Sequence, residues 1–151
     1  MNMGTEKQFC TFYLQGLFFG IEVEKVQEVI RYQGMTEVPL AANVIAGLIN
    51  LRGQIVTAID LRKRLGLPSR EAGEVPVNVV VRADGGAVSL LVDEIGDVVE
   101  VDEKMFEAAP STLKGQSREL LTGVFKLKDK LLLALDTEKA LDVSQLAEQS
   151  N

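Results

Sequence analysis

Short runs in which apolar and polar residues alternate fill most of this chain, separated by Gly, Pro and Asp. A period of two sends successive side chains to opposite faces of a pleated strand, so these runs read as half-buried or buried strands rather than helices. In the first half they cover 9–15, 17–23, 26–32, 47–52 and 54–59. Gly16 and the pair Arg52-Gly53 sit between neighbouring runs as tight turns, which predicts two hairpins. The stretch 36–43 carries Pro39 and reads as a loop. Asp60 then stands where its carboxylate caps a short helix over 61–66, which Gly66 and Pro68 end. In the second half the runs are 77–83, 87–93, 95–101, 121–127 and 130–135, with a long loop over 102–118 and a closing helix from Thr137 to Val143. Residues 68–76 hold two prolines and a glycine and read as the linker between the halves.

The pattern repeats. Residues 47–67 (GLINLRGQIVTAIDLRKRLGL) align without a gap to 123–143 (GVFKLKDKLLLALDTEKALDV), pairing Gly47 with Gly123, Leu51 with Leu127, Ala58 with Ala134, Asp60 with Asp136, Lys63 with Lys139 and Leu65 with Leu141. Upstream, 9–14 lies opposite 78–83, 20–25 opposite 89–94, and 26–30 opposite 95–99, with seven extra residues entering the second half in the loop around Ala108-Ala109-Pro110. A repeat of this kind predicts two related small units. Five short strands per unit leave no room for the crossovers a parallel sheet needs. The expected fold is therefore mainly β: two small five-stranded antiparallel barrels on a common core, each followed by a short helix. The expected extent is one domain over 8–143, made of repeats at about 8–67 and 77–143, with tails at 1–7 and 144–151. Whether strands stay in their own barrel or are exchanged is left open by the pattern.

Composition narrows the chemistry. A net charge of −6 argues against a nucleic-acid partner, which needs a concentrated basic face. The basic cluster Arg62-Lys63-Arg64 reads as a solvated helix face. The single cysteine, Cys10, excludes an internal disulfide and fits a reducing compartment. No apolar run approaches the ~20 residues of a membrane span, and the polar first residues, MNMGTEKQ, make no signal peptide, so a cytoplasmic protein is expected. The chain has no histidine, which removes the commonest general base and metal ligand. It has no phosphate loop, and DEIGD at 93–97 lacks the register of a calcium loop. No catalytic residue, metal site or cofactor is expected. What remains is a binding module. Glu28 interrupts the apolar run of Val26, Val29 and Ile30, and Arg52 in the hairpin turn is placed to reach it. The corresponding positions of the second half are Asp97 and Lys128, again an acid and a base, which favours a structural ion pair.

The stretches VQEVI, GLINLRGQIVTAIDLRKRLGL, LLVDEIGDVVEV and LTGVFKLKDKLLLALD together resemble the CheW-like domain family of bacterial chemotaxis, over residues 8–143. The resemblance implies two SH3-like barrels on a common core. It also implies a non-catalytic adaptor that joins the cytoplasmic tip of chemoreceptors to the regulatory domain of the histidine kinase CheA at membrane-associated arrays. By position it places Val26, Glu28, Val29, Gly47 and Arg52 at or beneath the receptor-binding surface, with Val77 and Val98 nearby. Gly47 would allow close approach, Val26 and Val98 apolar contact to a receptor helix, and Glu28 with Arg52 the shape of the groove. The kinase-facing surface is not marked. Two departures stand out: Ala42 where the family commonly has proline, and Ser111-Thr112 after Pro110 where a bulky apolar residue often follows. The second implies weaker contacts between adaptor and kinase in larger rings. The chain alone is expected to be a monomer. The competing readings are an adaptor of a related non-flagellar pathway and a small ligand-binding double barrel.

Overall fold

A computed structural model describes residues 6–108 and 116–142. The first half contributes β1 (Glu6–Leu14), β2 (Leu17–Glu22), β3 (Val26–Ile30), β4 (Ile45–Leu51), β5 (Gln54–Asp60) and α1 (Leu61–Arg64). The second contributes β6 (Val77–Ala83), β7 (Gly86–Val92), β8 (Glu94–Asp102), β9 (Phe106–Glu107), α2 (Gln116–Glu119), β10 (Leu121–Lys126), β11 (Leu131–Leu135) and α3 (Thr137–Leu141). Strand β9 is an addition to the sequence expectation; two residues are too few to leave an alternating pattern. Asp60 and Asp136 cap their helices alike, each carboxylate accepting from the backbone amide three residues on, Lys63 and Lys139. Pro110 and Ser111-Thr112 lie outside the described residues. Among those described, no helix is long and apolar enough to cross a membrane.

The strands form two sheets, in the orders β8-β1-β2-β11-β10-β9 and β3-β6-β7-β5-β4. This answers the question the sequence left open: hairpins are exchanged. The β1–β2 hairpin of the first half sits among second-half strands, and the β6–β7 hairpin of the second half among first-half strands. The halves meet at four seams: β2 with β11 and β7 with β5 run parallel, while β1 with β8 and β3 with β6, like the pairings within each half, are antiparallel. The register repeats as well as the order. Phe9 opposes Val99 as Asn78 opposes Ile30, and Cys10 opposes Val98 as Val79 opposes Val29.

The exchanged strands are buried on both faces, which explains their near-continuous apolar text. Phe12 and Leu14 of β1, Phe19 and Ile21 of β2, Val79 and Val81 of β6, and Leu90 and Val92 of β7 point into one core shared by both sheets. Their alternate positions face private cores. One gathers Phe9, Phe18, Val101, Phe125, Leu132 and Ala134; the other gathers Ile49, Leu51, Val56 and Val80. Equivalent positions solve the same packing differently. Phe9 lies against Gly20, where an added Cβ would come 3.1 Å from the Phe9 Cβ. Their counterparts, Asn78 and Ser89, are a fully buried hydrogen-bonded pair, Ser89 Oγ donating to Asn78 Oδ1 at 2.7 Å.

Gly47 and Gly123, the first residues of the aligned blocks, have one structural reason. At each, a preceding segment crosses the strand so closely that a Cβ would meet its backbone carbonyl at 2.8 Å, Thr36 O in one case and Glu107 O in the other. The crossings are the hydrogen-bonded Thr36–Leu48 bridge on β4 and the β9–β10 pairing.

The junction between halves is held by a buried ion cluster. The Asp93 carboxylate accepts from Arg62 Nε at 3.0 Å, Arg70 Nε at 3.0 Å and the Gln15 amide at 2.8 Å. Arg62 also donates through Nη1 to the carbonyls of Pro68 (3.2 Å) and Ser69 (3.4 Å), so the linker is pinned rather than loose. The solvated-helix-face reading of Arg62-Lys63-Arg64 is thereby corrected. Arg62 is buried, Lys63 alone is exposed, and the Arg64 guanidinium donates to the carbonyls of Lys139, Ala140 and Asp142 at the end of α3. Burial pushes the Asp93 carboxyl up, but the donors from Arg62, Gln15 and Arg70 outweigh it and hold it below the usual carboxylate range.

Two outcomes are expected. Gly47→Ala and Gly123→Ala should each destabilise the fold by about 1–3 kcal/mol, as overpacking does, in denaturant unfolding; an unchanged midpoint for both would contradict the crossing argument. Asp93→Asn leaves two buried guanidinium groups short of their counter-charge and should cost about 3 kcal/mol. Because the Asp93 pKa is depressed on folding, its contribution is present above the ordinary carboxyl pKa of about 4 and fades as pH falls through the folded value. The stability gap between wild type and variant should therefore narrow on acidification below about pH 4, and a gap independent of pH would exclude this role.

Candidate functional site

The candidate surface is built on the two outer strands of the five-stranded sheet. Strand β3 ends one side of the strand order and β4 the other. The β4–β5 hairpin closes at Arg52 (φ +52°) and Gly53 (φ +89°). Two successive left-handed residues make the tight turn whose twist matches the strands on either side. The turn is braced by Asn50, whose Oδ1 accepts from the Gly53 amide at 2.8 Å. This aims the Arg52 side chain at β3, where Nη1 donates to Glu28 Oε1 at 3.1 Å and Nη2 to Glu28 Oε2. Joining the two ends of the strand order requires the sheet to curl upon itself, so the pair is a clasp across the barrel's seam. The fork geometry fixes direction as well as distance. The Arg52 side chain is 69% exposed and that of Glu28 24%, so water screens the attraction and it adds little to stability. Arg52 nevertheless holds the Glu28 carboxyl below its ordinary range, and Glu28 raises Arg52 in turn.

The other candidate residues divide by position. Val29, 42% exposed, lies next to Glu28 on β3. Val98, 58% exposed, is its counterpart in the repeat and lies on β8, the outer strand of the other sheet. Val26 and Val77 are half-buried and pack against the shared core. Gly47 is buried, and the close approach it permits is that of the chain's own Thr36. The structure thus brings Glu28 and Arg52 together at one rim, leaves Val29 exposed on the other face of β3, half-buries Val26 and Val77 against the shared core and buries Gly47 under Thr36, and places Val98 on the second sheet.

The acid–base pairing is not repeated. Among the described residues Asp97 and Lys128 form no ion pair. The β10–β11 turn has the same length, with the Leu127 amide donating to the Lys130 carbonyl at 2.9 Å where Leu51 opposes Gln54 in the first half. Its base is Lys130, whose Nζ donates to Tyr13 Oη at 3.1 Å and lies 4.1 Å from the centre of the Phe18 ring. Sequence reasoning missed this contact because Tyr13 and Phe18 belong to the exchanged hairpin, which no sequence offset places beside the second-half turn.

A family model described as CheW-like domain matches residues 8–145. The chain is 32% identical over 138 residues to the chemotaxis protein CheW of Bacillus subtilis (strain 168), covering 91% of this chain and 88% of that one. It is 31% identical over 141 residues to the chemotaxis protein CheW of Klebsiella aerogenes, covering 93% and 85%. Among solved structures, the scaffolding protein TtCheW from Thermoanaerobacter tengcongensis superposes with a TM-score of 0.82 at 28% identity, covering 91% of this chain and 94% of that one.

The clasp makes a titration prediction. In wild type the Glu28 carboxyl should titrate below the free value of about 4.3, and in Arg52→Ala it should return toward that value, as read by side-chain carboxyl NMR. Equal titration in both proteins would show that the pair is not formed in solution.

Proposed function

This chain belongs to the CheW-like domain family, a family of chemotaxis scaffolds, and on that premise we propose that it is a non-catalytic cytoplasmic adaptor. In this reading it couples the cytoplasmic tip of chemoreceptors to the regulatory domain of the histidine kinase CheA, is recruited to membrane-associated receptor arrays, and is a monomer when alone, which light scattering would check. The observation that carries the reading is the clasped rim. Glu28 and Arg52 fix the relation between two strand ends, and Val29, the next residue along β3, stands exposed on that strand's other face. An apolar contact next to a polar rim suits an amphipathic receptor helix, whose apolar face needs a shaped strip rather than an enclosed pocket. Val98 on the second sheet supplies a further exposed apolar contact, and Val26, Val77 and Gly47 support the surface from beneath.

The test is a pull-down with a receptor signalling tip and the kinase regulatory domain, using wild type and Arg52→Ala. Wild type should retain both partners. Arg52→Ala should remain folded, keep the kinase domain and lose most of the receptor tip, by about tenfold or more in affinity, the scale of a central polar anchor. Wild type binding neither partner would refute the adaptor reading, and an Arg52→Ala protein that keeps full receptor affinity would remove the clasp from the receptor site.

A further inference from the structure

The offsets that relate the two sheets also relate two crevices. In the first, Asp93, Gln15 and Arg62 meet the linker, whose Arg70 lies against the Asp93 carboxylate with its side chain only 10% exposed. The repeat places Glu24 where Asp93 stands, Asp84 where Gln15 stands, Arg82 for Tyr13 and Glu138 for Arg62. Those residues are together in the structure. They line a cleft of about 580 Å³, with Thr137 and Leu141, the counterparts of the core residues Leu61 and Leu65, beneath. The same frame therefore builds one crevice filled by a basic extended segment and one that is open.

Relative to the first crevice, two side chains of the open one have become acidic, Glu138 for Arg62 and Asp84 for Gln15, and one basic, Arg82 for Tyr13. Glu138 in place of Arg62 removes the resident guanidinium and adds a carboxylate. Its lining holds Glu24, Asp84, Glu138 and Asp142 against Lys25 and Arg82. Arg82 directs its Nε to the Glu24 carbonyl at 3.4 Å, and among the described residues Glu24, Asp84 and Glu138 have no ion-pair partner. In the first crevice the base arrives on the segment that follows α1. After α3 the offset puts Leu146 where Arg70 stands after α1, so the equivalent position carries no base. A second copy is a poor source too, since its own Arg70 is held by its own Asp93.

We propose that the cleft between Glu24, Asp84 and Glu138 binds an extended segment of a partner protein that carries an arginine, placed as Arg70 is placed against Asp93. Such a segment brings the missing base to a lining with an excess of carboxylates, and electrostatic complementarity makes the association selective and salt-sensitive. This surface is separate from the clasped rim, so it goes beyond the adaptor reading and stands or falls apart from it.

The test uses the full chain, ¹⁵N-labelled, titrated with the synthetic peptide acetyl-LPSRAAG-amide, which follows residues 67–73 with alanine in place of Glu71, and with the same peptide carrying alanine for arginine. Saturable shifts should appear at the amides of Lys25, Ala83, Asp84, Thr137 and Glu138. They should weaken at least tenfold with the alanine peptide and in the double variant Glu24→Gln, Glu138→Gln, whose spectrum should otherwise stay dispersed, and they should fade as salt is raised. Four results would overturn the proposal: no saturable shift at these amides with millimolar peptide; equal binding of the alanine peptide; contacts from 143–151 to the cleft, which would assign it to the chain's own end; or shifts there that depend on protein concentration, which would assign it to a second copy.

Discussion

Neither half of this chain holds the strands that complete its own sheet. The β1–β2 hairpin is bounded by β8 and β11, and the β6–β7 hairpin by β3 and β5. Each hairpin is apolar on both faces, so outside its borrowed place it would leave one face in water, and each half-sheet would present an open edge. Folding and association of the halves are therefore one event. The relation between the two barrels follows from strand hydrogen bonds and a shared core, not from a flexible contact, and any surface spanning them inherits that rigidity.

Within this duplicated frame, some positions are fixed by the backbone and others are free to differ. Gly47 and Gly123 are both glycine because a crossing strand leaves no room for a Cβ at either place. Asp60 and Asp136 are both aspartate because both helices need an acceptor for their first-turn amides. Where the demand is only to fill volume, the solutions diverge, as in Phe9 with Gly20 against Asn78 with Ser89. Where solvent takes part they diverge further. Arg52 pairs with Glu28, while its counterpart Lys128 leaves Asp97 alone and the neighbouring Lys130 turns to an aromatic pair. The differences between the halves therefore lie in the core as well as on the surface.

Much of the fold was legible because alternation and turn chemistry are local. The ten long strands, the turn at Arg52-Gly53 and the two aspartate caps each follow from a few adjacent residues. The exchange was not legible, because a strand buried on both faces looks the same whichever neighbours bury it. The parallel seams follow from the exchange and were hidden with it. The cluster Arg62-Lys63-Arg64 misled because three adjacent bases look alike in one dimension, whereas one turn of helix sends them three ways: into the Asp93 cluster, out to solvent, and onto the carbonyls ending α3. At the candidate site, Glu28 and Arg52 stood out as charges interrupting apolar text. That Val29 and Val98 lie on different sheets depends on the exchange, and no spacing along the chain encodes it.

The outer strands show how such a protein exposes apolar surface without losing solubility. Strand β8 carries Ile95 and Val98 in the open but sets Glu94, Asp97 and Glu100 beside them. Strand β3 sets Val29 beside Glu28. An exposed strand edge invites pairing with any other edge, and charges along it make that pairing unfavourable while leaving individual side chains reachable. The Glu28–Arg52 clasp adds a geometric restriction: it ties β3 to the β4–β5 turn, so the edge is curled and cannot lie flat against a second sheet. A helix, which needs no edge hydrogen bonds, can still pack on the exposed valine. An ion pair too exposed to contribute much stability can thus select the kind of partner, by disfavouring strands and leaving room for helices.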